Sequence, residues 1–290
     1  MSLLLNSVTV SDTTSKYFNS KVNILIDSKG YIKKISKNKI SDKVKKVVDL
    51  EGLYISESLF DFNANFCDPG YEYKENLKSG VHVAINSGFL DVLITPNTNP
   101  IIQTKADVSY IQEKSLNNFC KIHSSAAISK NFNGKDLNDI IDLHNSGVKA
   151  FTNSYSCKES SEMIMNSLLY LNQIDTLLIT KPKDQSFSDG VVNNGYYSNT
   201  VGLKGIPRIS ESIAVERDLS ILEYVGGKIH FSGISTKESV SIIRDAKTKK
   251  LNVTCDVPIH NLILDDSNVV SFDPNYKVDP PPVSYTHLRA

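Results

Sequence analysis

Short apolar runs alternate with amphipathic stretches along most of the chain, and only the first fifty residues depart from this pattern. There, runs rich in β-branched and aliphatic side chains predict strands at Leu3–Val10, Val22–Asp27 and Tyr31–Ser36. The Lys-rich stretch Lys33–Lys46 is typical of an exposed loop or a sheet edge. We therefore predict a β-rich N-terminal portion over residues 1–54.

From about Leu53 onward, short apolar runs are separated by helical stretches. The candidate strands are Leu59–Asn65, Val92–Pro96, Lys121–Ala126, Val148–Thr152, Leu177–Thr180, Lys228–Ser232 and Val253–Val257. The amphipathic stretches are Asp136–Ser146, Glu159–Gln173, Ser210–Val225 and Thr236–Lys249. This alternation predicts a parallel sheet with helices outside it. A (β/α)₈ barrel needs one strand more than the chain supplies.

Composition and charge exclude several classes of protein. The chain has 290 residues, of which 40% are hydrophobic, and its 32 basic and 32 acidic residues give zero net charge. An ordinary apolar content excludes a disordered chain, and the lack of a basic surplus argues against nucleic-acid or anionic-membrane partners. No apolar run is long enough to cross a bilayer, no signal peptide is readable, and the four Cys form no CxxC pair. We expect a cytoplasmic protein.

Several motifs follow one another in the order found in a known family. The segments Asn65–Glu75 and Pro96–Pro100 resemble the first barrel loops of dihydroorotases. Further similar segments are Gly202–Pro207 with Glu211, Val215–Leu219, Ile234–Thr236, Ile243–Lys247, Val253–Val257 and Tyr276–Pro281. The resemblance implies an α/β fold, an amidohydrolase-type (β/α)₈ TIM barrel over residues 55–282 that is incomplete at its C-terminus, with a small β-sandwich portion in residues 1–54. Catalytic members interconvert N-carbamoyl-aspartate and dihydroorotate with a zinc-activated hydroxide.

A hydrolytic zinc site needs three or more His, carboxylate or similar ligands at the C-terminal ends of barrel strands. The positions where the resemblance places these ligands carry other residues here. They are Asn63 and Asn65 in place of a His-x-His pair, Asn153 in place of an Asp, and Lys181 and Gly233 in place of two His. Neutral amides are poor substitutes for imidazoles on zinc. We therefore predict that these five positions are vestigial, that no zinc or other cofactor is bound, and that catalysis is lost.

Three further residues are predicted to line what remains of the substrate pocket. Cys67 stands where the resemblance implies an Arg, Asn97 retains a substrate-contacting residue type, and His260 follows a strand at the barrel mouth. Cys67 could instead be a nucleophile, but no adjacent His is visible to lower its pKa. Lys181 and Lys183 motivate a further hypothesis, in which an ammonium holds the barrel mouth together where a metal once sat.

The last residues, 283–290, depart from the family pattern. After Tyr276–Pro281 the resemblance implies an eighth strand, whereas the chain continues as Pro282–Ala290, which is similar to a translated sequencing adapter. We expect a truncated chain with a non-native tail. Its barrel would lack the last strand, which would leave sheet edges unpaired and apolar faces exposed.

The leading functional hypothesis is a dihydroorotase-like protein of pyrimidine biosynthesis that has lost zinc binding and catalysis and acts as a structural or assembly partner. The resemblance implies aspartate carbamoyltransferase, or an active dihydroorotase paralogue, as its partner. Two alternatives stay open. One is an active zinc-dependent dihydroorotase or related cyclic amidohydrolase, and the other is a binding module for a small carbamoyl or pyrimidine ligand around Asn97.

Overall fold

Two units make up the chain in a computed structural model that describes residues 2–116, 118–153, 159–187 and 189–283. The first unit is Met1–Leu59 and the second is Phe60–Ala290. The expected tail, residues 283–290, lies outside the described residues except for Val283, whose side chain is buried.

A five-stranded sheet forms the first unit. Its strands are β1 (Leu3–Val10), β2 (Lys21–Ile26), β3 (Ile32–Ser36), β4 (Lys46–Asp49) and β5 (Tyr54–Ile55). Their order is β3-β2-β1-β4, and β5 also pairs with β1. The antiparallel pairing of β1 with β2 brings Val8, Val10, Val22 and Ile24 into one apolar cluster. The predicted β-rich N-terminal portion is confirmed.

The Lys-rich stretch Lys33–Lys46 begins and ends on edge strands of this sheet, as expected. Its beginning lies on β3, and its last residue begins β4, which pairs with β1 in parallel at the other end of the order β3-β2-β1-β4. Ile40 in its middle is buried and clusters with Leu4 and Leu25. An aliphatic side chain thus anchors a stretch whose lysines are mostly exposed.

From residue 59 onward, strands and helices alternate. The strands are β6 (Leu59–Ala64), β7 (Phe89–Ile94), β8 (Lys121–Ala127), β9 (Ala150–Thr152), β10 (Leu177–Thr180), β11 (Val192–Asn193), β12 (Gly205–Ile206), β13 (Ile229–Phe231) and β14 (Val253–Cys255). The helices are α1 (Leu77–Asn86), α2 (Lys105–Ser115), α3 (Ile140–Asn145), α4 (Ser161–Gln173), α5 (Tyr196–Val201), α6 (Ile209–Val225), α7 (Lys237–Thr248) and α8 (Ile259–Ile263). Four 3₁₀ turns lie at Lys130–Phe132, Gln185–Phe187, Asp266–Ser271 and Pro274–Tyr276.

Seven of these strands form one sheet in the order β14-β13-β10-β9-β8-β7-β6, and β11 and β12 form a separate parallel pair. The pairs from β7 to β14 are all parallel. All seven predicted barrel strands are present, and their observed ends differ from the predicted ones by a few residues. Within the described residues, no strand joins β14 to β6. The prediction of a parallel sheet one strand short of a closed barrel is confirmed.

The strands bury side chains on both of their faces. Val92 and Ile94 of β7 belong to the main core, together with Val108 and Ile111 of helix α2. Leu93, between them on the opposite face, clusters instead with residues of β9 and β10. Burial on both faces explains why these strands read as nearly continuous apolar runs and not as alternating ones.

Helix α3 is shorter than the sequence indicates. The predicted helix begins at Asp136, whereas α3 begins at Ile140. The carbonyl of Asp136 accepts a hydrogen bond from the Lys130 N–H, and the Asn138 N–H donates to the carbonyl of Ile128. These bonds to the preceding loop take the backbone groups that a longer helix would need.

The sheet ends at β6 with apolar side chains in contact with solvent. Leu59 is 53% exposed and Phe60 is 41% exposed. Both residues lie on the strand at which the described sheet ends. No helix within the described residues has both the length and the apolar composition of a membrane span.

Candidate functional site

A small cavity lies where the C-terminal ends of the barrel strands meet. Its lining comes from six strands of the sheet or the residues just after them: Phe62, Asn63, Thr95, Ser125, Thr152, Ile179, Lys181 and Ser232. In (β/α) barrels this end of the sheet is where ligands bind and catalysis takes place. Asn63 and Lys181, two of the five predicted vestigial positions, lie together in this cavity.

The lining of this cavity does not fit a zinc ion. It offers hydroxyls, one amide and one ammonium, and the described lining residues include no imidazole, thiol or carboxylate. Zinc sites are built from deprotonated Cys, neutral His and carboxylate groups, and a positive ammonium repels a metal cation. Over the residues that the structure describes, no three His, Cys, Asp or Glu come together in a group that could hold a metal.

Lys181 forms an ion pair at the cavity. Its side chain is only 11% exposed, and its Nζ lies 2.8 Å from Asp279 Oδ2 and 3.1 Å from the Asp279 carbonyl oxygen. The Nζ of Lys183 lies 3.8 Å from the other carboxylate oxygen of Asp279. Both lysines therefore face the same carboxylate. The cavity holds a cation at the position where the resemblance implies a metal ligand.

Gly233 lies in a second cluster, at the ends of β13 and β14. Its N–H donates to Asp256 Oδ1 at 2.6 Å, and Ser232 Oγ donates to Oδ2 at 3.1 Å. His230 Nε2 lies 3.0 Å from the same Oδ2, and His230 Nδ1 lies 2.8 Å from Thr254 Oγ1. Burial raises the pKa of Asp256, but the hydrogen bonds from His230 and from the Gly233 N–H outweigh it and leave the pKa below its ordinary value.

Asn153 lies away from the cavity. It is buried, and its Oδ1 accepts hydrogen bonds from the Ser129 N–H at 3.1 Å and from Ser129 Oγ at 2.9 Å. Its Nδ2 has no hydrogen-bond partner within the described part of the chain. Ser154 and Tyr155, which follow it in the motif, lie outside the described residues.

Buried acidic groups lie beside Asn153. Burial raises the pKa of Glu159, and the charge of Asp218 adds to this rise. Burial also raises the pKa of Asp218 to about 6, although Arg217 lies 2.7 Å from Asp218 Oδ1 and opposes the shift. Asn153 therefore stands next to two carboxyl groups whose pKa values are raised by burial.

The remaining predicted residues are placed around the mouth and do not line the cavity. Asn65 is exposed, and its Oδ1 accepts a hydrogen bond from Cys67 Sγ at 3.4 Å. Asn97 Oδ1 accepts a hydrogen bond from Thr95 Oγ1. Burial lowers the pKa of His260, a hydrogen bond to the backbone of Pro280 opposes this, and the nearby charge of Lys181 lowers the pKa further. His260 is thus close to Lys181, whereas Asn65 and Cys67 contact each other.

Sequence reasoning missed two acidic residues. Asp279 was read only as part of a motif, although it is the carboxylate that neutralises Lys181. Glu211 is buried and accepts hydrogen bonds from the N–H and hydroxyl groups of both Ser235 and Thr236, at 2.5 to 3.2 Å. The helix that carries Glu211 and the motif Ile234–Thr236 therefore hold each other in place. A signal for this existed, because a carboxylate among apolar helix residues needs buried donors.

Comparison with known proteins gives one family. A family model described as dihydro-orotase-like matches residues 52–239. A curated dihydroorotase of Carboxydothermus hydrogenoformans is 37% identical over 262 residues, which are 90% of this chain and 60% of that protein. A dihydroorotase of Trichlorobacter lovleyi is 34% identical over 283 residues, which are 97% of this chain and 66% of that protein. The chain thus spans less than two thirds of the length of these relatives.

Solved structures with a similar fold include hydantoinases and dihydropyrimidinases. The L-hydantoinase (dihydropyrimidinase) from Arthrobacter aurescens superposes with a TM-score of 0.83 at 14% identity, covering 98% of this chain and 64% of that chain. A dihydropyrimidinase from Brevibacillus agri superposes with a TM-score of 0.77 at 16% identity, covering 99% of this chain and 64% of that chain. At these identities the likeness shows the fold alone. It confirms the prediction of a partial amidohydrolase-type (β/α)₈ barrel.

Proposed function

The chain belongs to the dihydroorotase-like family, and on that premise we propose that it is a non-catalytic member that serves pyrimidine biosynthesis as a structural partner. The proposal has two parts. The barrel mouth binds no zinc and performs no hydrolysis, and the barrel instead acts through a protein partner. The partner proposed by family analogy is aspartate carbamoyltransferase or an active dihydroorotase paralogue.

The ion pair at the barrel mouth is the observation that carries the first part. Lys181 is mostly buried in the cavity and is held 2.8 Å from Asp279. A metal at this place would have to approach a fixed positive charge and would find an amide, hydroxyls and apolar carbons around it. Catalysis by metal-bound hydroxide needs ligands that keep the metal in place while it lowers the pKa of its water. The described lining supplies none of the usual ones.

The state of Asn153 and Gly233 supports the same conclusion. The Asn153 amide oxygen is engaged by Ser129, and Gly233 has no side chain to offer. The Gly233 N–H is itself bound to Asp256. Restoring a site would therefore require several changes together. A loss of this extent fits a protein that is retained for a reason other than hydrolysis.

The experiment is a measurement of metal content and activity on the purified full chain. The dihydroorotase of Carboxydothermus hydrogenoformans, prepared in the same way, is the positive control. We expect no stoichiometric zinc after purification in zinc-supplemented medium, and no conversion in either direction between N-carbamoyl-aspartate and dihydroorotate. One or two zinc ions held tightly per chain would contradict the proposal.

The second part is tested by affinity capture with purified aspartate carbamoyltransferase from the same organism, and separately with an active dihydroorotase paralogue. A stable complex with either protein supports an assembly role. If neither protein binds and the chain holds no zinc, the assembly role is wrong while the absence of catalysis stands.

A working zinc-dependent dihydroorotase is the second candidate. The names of the curated relatives favour it, since the two relatives compared above are both dihydroorotases. The metal measurement separates the two candidates directly, because this reading requires bound zinc and turnover. A small-ligand binding module around Asn97 has less support, because the Asn97 amide oxygen already accepts the Thr95 hydroxyl.

A further inference from the structure

The segment 277–283 packs against the residues that follow β10 and β13 and is held there by groups from several parts of the chain. Asp279 contacts Lys181 and Lys183, and Asn261 Nδ2 donates to the Pro281 carbonyl at 3.1 Å. Val283 at its end is buried, at 3% exposed. A pocket that this segment forms with residues 181–183, 206–211 and 233–236 has a volume of only about 40 Å³. The segment therefore packs closely against the ends of β10 and β13, beside the cavity that Lys181 also lines.

We infer that the ion pair of Lys181 and Lys183 with Asp279 is a clasp that fastens the segment 277–283 over the barrel mouth and closes it without a metal. The inference deepens the proposed function, on which it rests in one respect: no metal displaces the Lys181 ammonium. It assigns a positive role to a residue that would otherwise be only a lost ligand.

The two lysines are more deeply buried than Asp279, and this difference explains why the clasp would hold the segment. Lys181 is 11% exposed and Lys183 is 20% exposed, whereas the Asp279 side chain is 45% exposed. Two ammonium groups that are largely withdrawn from water repel each other and need a carboxylate close by. Asp279 supplies it, and its backbone carbonyl accepts a further hydrogen bond from Lys181 at 3.1 Å. Release of the segment would leave both cations without this charge.

Gly233 makes room for the closed segment. A Cβ atom at this position would lie 3.3 Å from Pro280 Cδ, which is closer than ordinary van der Waals contact. A histidine ligand at Gly233 would thus compete for space with the segment that Lys181 holds. The replacements at the two ligand positions are therefore mutually consistent, since one supplies the clasp and the other leaves space for what it fastens.

The test is amide hydrogen exchange of the full chain, read at Val278, Asp279 and Val283. The variants Lys181→Met and Asp279→Asn each break the pair, and Lys277→Met, at an exposed lysine of the same segment, is the matched control. We expect exchange at the three amides to become about tenfold faster or more in the first two variants. In the control it should stay within about twofold of the unchanged chain. Equal exchange in all variants would overturn the inference.

Two additions keep the test decisive. The charge-swapped variant Lys181→Asp with Asp279→Lys is made together with Lys183→Met, so that no second ammonium faces the relocated lysine. It should restore slow exchange, and it answers the question if the single variants fail to fold. Fast exchange in the swapped variant would count against a clasp. Each measurement is repeated with EDTA and with added zinc. Slower exchange with zinc in Asp279→Asn would mean that a metal closes the mouth, and the proposed function would then fail as well. Unchanged exchange in every variant, without a zinc effect, defeats the clasp alone.

Discussion

The ring of Phe62 stacks on the imidazole of His230, with ring centroids 4.8 Å apart and ring planes at 17°. The two residues lie on β6 and β13, which are separated by four strands in the order β13-β10-β9-β8-β7-β6. Direct contact between such distant strands is geometrically possible only because the sheet curls round towards itself. Phe60, two residues earlier on β6, stacks in the same way on His123 at 5.8 Å. One edge strand thus covers two histidines inside the curl.

The stack predicts a measurable loss of stability in Phe62→Leu. Leucine keeps much of the apolar volume but loses the ring face, and aromatic pairs contribute about 0.5–1.5 kcal/mol beyond area burial. We expect the free energy of unfolding in urea to fall by about 1 kcal/mol. Phe119→Leu, at a side chain that is 88% exposed, is the control and should change it by less than about 0.5 kcal/mol. Equal effects of the two substitutions would show that the stack contributes nothing.

Much of this fold could be predicted because barrel strands such as β7 are apolar on both faces. Val92, Leu93 and Ile94 are all buried, so the run stands out from its surroundings without any periodicity. The curl of the sheet could not be predicted in the same way. Phe62 in the sequence is one apolar residue of a short strand, and its partner His230 becomes visible only when the strands are arranged in space.

In the candidate site too, some features could be predicted from local sequence and others became visible only in the structure. The positions of Asn63, Lys181 and Gly233 could be predicted from motifs, because these motifs follow one another along the chain in the order found in the family. The ion pair of Lys181 joins residues 98 positions apart, and no local pattern signals such a partner. Asp279 could be recognised only once the segment 277–283 was seen to pack beside the cavity that Lys181 lines.

Removal of the Asn153 side chain should destabilise the fold although no ligand is lost. In Asn153→Ala the Ser129 N–H and hydroxyl would both lose their acceptor in a site that is closed to solvent. A buried donor without a partner costs about 1–3 kcal/mol, so we expect the free energy of unfolding to fall by about 2 kcal/mol or more. Asn252→Ala, at an exposed asparagine, is the control and should be nearly neutral. A neutral Asn153→Ala would mean that Ser129 finds another acceptor.

Stability should depend on pH through Asp218. Burial raises the pKa of Asp218 to about 6 from 3.8, so the folded chain keeps a proton that the unfolded chain releases. The free energy of unfolding should therefore fall as the pH rises from about 4 to about 6, by at most about 3 kcal/mol from this group, and level off above. In Asp218→Asn this component disappears. Glu216→Gln, at an exposed position of the same helix, should keep it. Urea unfolding between these pH values checks the difference, and identical slopes in all three proteins would refute the assignment.

Gly233 offers the sharpest test of whether one substitution at a predicted vestigial ligand position can create a metal ligand. Its φ is +80°, a backbone conformation that costs a residue with a Cβ about 1–2 kcal/mol, and the new Cβ would press on Pro280. We expect Gly233→Ala to lower the free energy of unfolding by about that amount and Gly233→His to lower it at least as much, without any gain in zinc binding. The control is Gly195→Ala, because φ there is 175°, which is extended backbone, and the nearest atom to its Cβ is 3.8 Å away. A Gly233→His chain that is as stable as the unchanged one and takes up zinc would show that the backbone had never adapted to the missing ligand. The expected result means the opposite: Gly233, a predicted vestigial ligand position, packs against Pro280 of the segment 277–283, so that a side chain placed there to bind a metal competes with this packing.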